Sequence, residues 1–222
     1  MVQCRGVHAP DDPSTVGWDH PDQVEWYLGR IDRLAARAAG EAVLVEALPA
    51  ELRRLLDLGC GDGRLAALVM QARPSVTQLV AVDVSPPMLE RARERFAGDR
   101  RVEVRTWDLA EPLGPLGKHD VIVSGFAIHH LEDERKRALF TEVREQLRPG
   151  GAFLNLEVVA SATPRLHATF LAAIGREHDD PEDRLAPVDA QLAWMRDAGL
   201  AEVDCLWRWR GFALLVGERS PR

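Results

Sequence analysis

The stretch Leu55-Leu56-Asp57-Leu58-Gly59-Cys60-Gly61-Asp62-Gly63 decides how the rest of the 222-residue chain is read. Leu55–Leu58 is a short apolar run of the kind that forms a buried strand. The glycines after it let the backbone turn sharply and let a ligand approach the main chain. Leu65, Leu68 and Val69 then follow at helical spacing. Strand, glycine turn and helix in that order open a parallel α/β arrangement. A dinucleotide fingerprint needs Gly or Ala at position 64, where Arg64 stands, so the Gly-x-Gly-x-Gly spacing weakens a nicotinamide or flavin reading. A Walker-type phosphate loop fails as well, because no Gly-Lys-Ser/Thr follows.

Working outward, the alternation of strand and helix continues to about Val158. Strands are expected at Leu79–Val82, Val102–Thr106, Val121–Ser124 and Ala152–Val158. Helices between them carry Met88, Leu89, Ala92 and Phe96, and then Leu139, Phe140, Val143 and Leu147. Pro149-Gly150-Gly151 is expected to end the second of these helices. Beyond an acidic loop, Glu177–Asp183, the runs Glu202–Trp209 and Phe212–Val216 are separated by little more than Arg210-Gly211. So short a connection joins antiparallel strands and leaves no room for a parallel crossover. Upstream, the apolar positions from Val24 to Ala38 predict one helix, and Glu41–Leu48 a second that stops at Pro49. Residues 1–20 read as an irregular arm. The expectation is a single domain over 1–222, with arm and lid helices over 1–50 and the core over 51–222.

Composition bounds the function. With 46% apolar and 28% charged residues the chain is a globular domain with a sizeable core, neither disordered nor fibrous. No apolar run approaches the roughly 18 residues of a membrane span, and Met1–Pro21 has no signal-peptide core. A net charge of −7 argues against a nucleic acid as the main partner, although a local basic patch can still bind RNA. Cys4, Cys60 and Cys205 are odd in number and in no metal-type spacing, which suits a reducing, cytoplasmic setting.

Two acids follow the glycine turn along the same sheet edge. Asp83 ends the second strand, 24 residues after Gly59, where a carboxylate can accept both hydroxyls of a ribose. Asp108, just past the third strand, could accept a hydrogen bond from an exocyclic amine such as that of adenine. The structural alternative for either acid alone is to cap a loop or helix. Together with the turn they fall at the carboxyl ends of the strands, where open α/β sheets bind ligands.

These segments resemble the class I S-adenosylmethionine-dependent methyltransferases, of the broad type 11/12 small-molecule kind. The matching elements are Leu55–Gly63, Val80–Ser85, Trp107-Asp108-Leu109, Asp120–Ser124 and Leu147-Arg148-Pro149-Gly150-Gly151. The resemblance implies a Rossmann-like seven-stranded sheet of order 3-2-1-4-5-7-6, strand 7 antiparallel, with helices on both faces and an N-terminal helical lid. It implies S-adenosyl-L-methionine as cofactor. Gly59 and Gly61 would lie against its methionine part, with Asp57 helping to hold the amino group. Asp83 would bind the ribose, Val84 and Met88 would flank the adenine, and Asp108 and Leu109 would hold its edge. Ser124 and Gly125 would face the methionine amine, and Tyr27 and Arg30 on the lid helix its carboxylate.

The acceptor is less legible. A methyl sulfonium is already activated, so the protein mainly aligns a nucleophile and excludes water. His129, in Ala127-Ile128-His129-His130-Leu131, stands at the correct edge to take a proton and is the candidate catalytic base, ahead of His130. Ser124 occupies the place where metal-dependent catechol-type enzymes carry an acidic ligand, and Ser124-Gly125-Phe126-Ala127 replaces the Asn/Asp-Pro-Pro-Tyr/Phe of base- and amide-methylating enzymes. Glu177–Asp183 reads as a solvated loop, so no metal is expected. Trp207 and Trp209 share one strand face and suit core packing better than base stacking, while Trp18, Trp26 and His167 are candidates to line an acceptor cavity. The sequence therefore favours methyl transfer to an O, N or S atom of a small organic molecule. A tRNA wobble-uridine-modifying enzyme using a carboxylated donor, and a non-catalytic cofactor-binding protein, are the alternatives. The terminal strand pair leaves monomer or homodimer open.

Overall fold

The computed structural model describes residues 18–31 and 34–221, with the backbone alone at Arg30 and Ile31. Two N-terminal helices come first, α1 (Pro21–Ile31) and α2 (Ala35–Ala47). Then β1 (Arg54–Leu58), α3 (Arg64–Ala72), β2 (Gln78–Asp83), α4 (Pro86–Arg95), β3 (Val102–Thr106) and β4 (His119–Gly125) alternate. A short 3-10 turn, Ile128–His130, leads into α5 (Asp133–Gln146) and β5 (Leu147–Val158). The chain continues through α6 (Pro164–Ala173), α7 (Val188–Asp197), β6 (Ala201–Trp209) and β7 (Phe212–Glu218).

The seven strands form one sheet in the order β3-β2-β1-β4-β5-β7-β6. The first five are parallel, and β7 runs antiparallel to both β5 and β6. Arg210 at φ +53° and Gly211 make the tight turn between Trp209 and Phe212. Side chains alternate across the sheet with period two. Leu55, Leu79, Val121, Val123 and Leu154 pack on one face against Leu44 of α2, Val69 of α3 and Leu89 of α4. Leu56, Val80, Ile122 and Phe153 pack on the other against Phe140 of α5 and Met195 of α7. Both faces are covered, which is why β1 is buried continuously from Leu55 to Leu58 and β2 from Leu79 to Val82. Trp207 and Trp209 lie half-buried against the first face, as packing residues.

Two expectations about boundaries change. The periodicity from Val24 to Ala38 belongs to two helices: α1 ends at Ile31, and Leu34 adopts extended backbone (φ −79°, ψ 107°) before α2 begins at Ala35. An apolar stripe persists across such a break because both helices turn the same side to the core. The fifth strand also starts earlier than Pro149-Gly150-Gly151 suggests. Leu147 already pairs with His119, and the amides of Gly150 and Arg219 donate to the carbonyls of Arg219 and Gly151. Pro149 is tolerated there because this strand segment lies ahead of the regular ladder with β4, which resumes at Ala152.

Strand order reverses between β2 and β4 on either side of β1. Helices leave the neighbouring strand ends in opposite directions at such a point, opening a crevice at the carboxyl edge.

Candidate active site

The turn after β1 is held in a backbone shape that glycine adopts without strain and other residues do not. Gly59, Gly61 and Gly63 have φ of +67°, +52° and +79°. A Cβ on Gly59 would stand 2.2 Å from that of Ala127, so the turn is packed directly on the chain leaving β4. On Gly61 a Cβ would meet only Met88 Sδ at 3.8 Å, and its free side opens into a cavity of about 280 Å³. Asp83 fixes the turn from β2, its two carboxylate oxygens accepting from Gly61 N (2.8 Å) and Ser85 N (2.9 Å). Burial outweighs these bonds and pushes its pKa up.

Of the residues expected to hold the cofactor, Tyr27, Gly59, Gly61, Asp83, Val84, Met88, Asp108, Leu109 and Gly125 line this one cavity. Asp57 lies beneath the turn, fully buried, with no well-formed hydrogen bond to either carboxylate oxygen. Burial, and then the charge of Asp83, raise its pKa to about 8. Ser124 is off the cavity: its buried hydroxyl donates to Leu58 O at 2.8 Å and ties β4 to β1. The side chain of Arg30 lies outside the described residues, as do residues 1–17 and with them Cys4. Cys60 lines the cavity, but burial raises its thiol pKa, which keeps it unreactive.

The N-terminal segment borders this space through Trp18, Tyr27 and Leu28. Ser85, which caps α4, donates its hydroxyl to Trp18 O at 2.6 Å. Trp18 meets Tyr27 and His130 edge-on, with ring centroids 5.1 and 5.7 Å away. These three residues and Phe126 also border a second, smaller cavity of about 80 Å³. Its other walls are Trp26, Phe170 and Phe212, with Asp179, Asp180 and Asp183 from the acidic loop. His167 is held by Asp179 at 2.8 Å and stays outside the cavity wall.

His129 borders the smaller cavity and His130 both. His129 Nδ1 stands 2.5 Å from Glu157 Oε1, and Nε2 stands 3.4 Å from Asp183 Oδ1. Burial alone would depress this histidine, but Glu157 and Asp183 hold its pKa at about 9. It is an imidazolium between two carboxylates rather than the neutral base expected. Burial and the neighbouring cation push His130 in the opposite direction, so it is neutral near pH 7.

Sequence reasoning missed Arg37, Glu41 and Arg64. All three line the larger cavity, with Glu41 accepting from Arg37 Nε at 2.8 Å and from Arg64 Nη2 at 2.9 Å. Burial pushes Glu41 up, but Arg64 and Arg37 prevail and lower its pKa. A lone arginine inside Ala35-Ala36-Arg37-Ala38-Ala39 was the available signal.

A family profile described as a methyltransferase domain matches residues 55–151. The carboxy-S-adenosyl-L-methionine synthase of Aeromonas hydrophila is 30% identical over 190 residues, covering 75% of this chain and 74% of that one. The chain belongs to the class I S-adenosylmethionine-dependent methyltransferases. An uncharacterised methyltransferase of Mycobacterium bovis is 36% identical over 140 residues, covering 61% of this chain and 66% of its own. An O-methyltransferase family protein from Burkholderia thailandensis shares the fold, with a TM-score of 0.72 and 24% identity over 91% of this chain and 61% of that one. The methyltransferase thus spans somewhat under two thirds of both of these proteins.

The family's cofactor, S-adenosylmethionine, fits this site on two observations. The open side of Gly61 leaves room for a ligand against the main chain, and the buried Asp57 carboxyl beneath it has no well-formed hydrogen bond. Among the described residues, no helix is long and apolar enough to cross a membrane.

Proposed function

We propose that this methyltransferase moves a methyl group to an oxygen, nitrogen or sulfur of a small organic molecule. The observation that carries the reading is the pair of adjoining cavities. The larger is built from the glycine turn, Asp83 and Asp108, and the smaller from aromatic rings and the His129 cluster. When bound, S-adenosylmethionine supplies a methyl group already activated on a sulfonium. Asp83 would accept the ribose hydroxyls, Asp108 and Leu109 would meet the adenine, and Gly59, Gly61 and Gly125 would leave room for the methionine part. Trp18 and Tyr27 exclude water above the junction. An acceptor hydroxyl or thiol has to shed a proton, and His129, His130 and Asp183 are the polar groups at that place. His129, with both ring nitrogens on carboxylates, positions its neighbours and is not itself the free base.

Thermal unfolding tests the donor site. S-adenosylhomocysteine at 100 times its Kd adds about 2.7 kcal/mol, which is roughly 5–10 °C for a domain of this size. NAD should add nothing. A folded chain that neither S-adenosylmethionine nor S-adenosylhomocysteine stabilises would overturn the reading. Acceptors are then screened among phenols, carboxylic acids, thiols and amines by release of S-adenosylhomocysteine.

A second reading has support in the Aeromonas relative: a chain that makes or uses a carboxylated donor. That chemistry needs a cation near the donor methyl. Arg37 and Arg64 line the cavity, but both are paired with Glu41. Mass spectrometry of the nucleoside that co-purifies separates the two, since the carboxylated form is heavier by the mass of one CO2.

A further inference from the structure

We propose that His129, His130 and Asp183 bind a divalent transition-metal ion at the junction of the two cavities. Each of the three residues offers a ligand atom within 4.8 Å of the other two, and His129 Nε2 and His130 Nδ1 are the nitrogens that face Asp183 Oδ1. The carboxylate oxygen stands 3.4 Å from the first nitrogen and 3.7 Å from the second. A charge-assisted hydrogen bond closes to about 2.7–2.9 Å. Two ligands each about 2.0–2.1 Å from one tetrahedral ion instead stand about 3.3–3.4 Å apart. The spacing is longer than a short charge-assisted bond, and it is close to that of donors sharing a cation. His130 Nδ1 is buried with no well-formed hydrogen bond, although it faces Asp183.

The surroundings hold these donors in place. Glu157, fully buried, takes His129 Nδ1 at 2.5 Å and is itself fixed by Val158 N at 2.8 Å. A carboxylate behind a histidine in this way orients the far nitrogen, whose proton the incoming ion displaces, so metal uptake releases a proton. Asp183 Oδ2 accepts from Asp180 N at 3.1 Å, which leaves Oδ1 toward the histidines. Arg184 N donates to His129 O at 2.8 Å and fastens the acidic loop to the 3-10 turn. Lys136, buried in α5, donates to the Arg184 carbonyl and adds a second fastening.

Charge favours a cation. Glu157, Asp180 and Asp183 converge there, and Arg176, 3.9–4.0 Å from the two aspartates, offsets only part of it. Two imidazoles and one carboxylate suit zinc, cobalt, nickel or iron(II) rather than magnesium or calcium. His129 and Asp183 border the smaller cavity and His130 both, so the remaining coordination position faces the space assigned to the acceptor. The acceptor class follows, and this clause rests on the methyl-transfer reading: a molecule whose hydroxyl or thiol coordinates the ion. Its proton is lost to water, the donor's carbon–sulfur bond breaks, and the acceptor atom takes the methyl as the sulfonium becomes a thioether.

The test is titration of chelator-treated full-length protein with Co2+, read by visible absorption. One equivalent should bind with the intense bands of a four-coordinate site. Asp183→Asn and His130→Gln should each weaken binding at least 100-fold, while S-adenosylhomocysteine still stabilises the Asp183→Asn variant. Adding 2-mercaptoethanol should shift the cobalt bands. A folded wild type that takes up no Co2+, or bands that persist unchanged in both variants, would overturn the site. Bands that ignore the thiol would overturn the acceptor assignment. The donor reading is measured separately: Co2+ binding without S-adenosylhomocysteine binding leaves the metal site standing and removes the methyl donor, and the reverse result does the opposite.

Discussion

Single residues in this molecule do several jobs through one carboxylate or one ring. Asp83 ends β2, shapes the glycine turn through Gly61 N and stands in the donor cavity. Asp83→Asn keeps the volume but loses the charge. Hydrogen bonds to charged groups contribute about 1.5–3 kcal/mol, so the Kd for S-adenosylhomocysteine should rise roughly 10- to 150-fold by calorimetry. An unchanged Kd would remove Asp83 from the ribose site. His119 at the base of β4 makes a different point. It is fully buried, its Nε2 lies 3.2 Å from Leu116 O, and burial lowers its pKa to about 4. Below pH 6.5 the unfolded chain takes up a proton that the folded one refuses. The stability carried by neutral His119 is therefore complete above pH 6.5 and is lost as pH falls toward 4, by up to about 3 kcal/mol. Glu41 and Asp120, whose pKa values are lowered, lose stability further into acid. Denaturant unfolding at pH 7 and pH 4.5 isolates the histidine: the drop should be smaller in His119→Gln than in the wild type. Equal drops would show that other groups carry the acid loss.

At the scale of elements, the lid is set by how closely α2 approaches the sheet. A Cβ at Gly40 would stand 2.7 Å from Leu156 Cδ1 and 2.9 Å from the Trp207 ring. Alanine improves helix propensity by up to about 1 kcal/mol, but overpacking costs about 1–3 kcal/mol. The leucine methyl can move aside and the tryptophan ring cannot, so the second effect wins. Gly40→Ala should lower stability by roughly 1 kcal/mol. Gly29→Ala in α1, where a Cβ meets nothing within 4 Å, should show only the propensity gain. Thermal melts of the two variants decide it, and a stabilised Gly40→Ala would mean that α2 sits further from the sheet. The glycine turn was readable in advance because its constraint is local: Gly59, Gly61 and Gly63 must adopt positive φ wherever the rest of the chain goes. The break between α1 and α2 was not, since neither glycine nor proline marks it and the apolar period runs through.

For the molecule as a whole, strand order and the donor cavity were legible because each strand end carries its own signal, Gly59, Asp83 or Asp108. The junction was not. Asp183 reaches the histidine pair from a loop 53 residues further along the chain, and its neighbours Glu177, Asp179 and Glu182 make it look solvated. Arg37 and Glu41 were hidden for the same reason, since only the docking of α2 turns them toward the cavity. Long-range order also imposes a timetable. The strand beside β5 is β7, and β6 pairs only with β7. A chain made from its N-terminus therefore completes β5 and leaves that edge bare until β7 emerges, about fifty residues later. At ~5–20 residues per second the wait is roughly 3–10 s on the ribosome. Through that interval Phe153, Leu154 and Leu156 belong to a strand paired with β4 on one side only, whose other side can add to any exposed edge. Slow codons between Val158 and Phe212 would lengthen the exposure, and the yield of folded protein would be decided before the last strand is made.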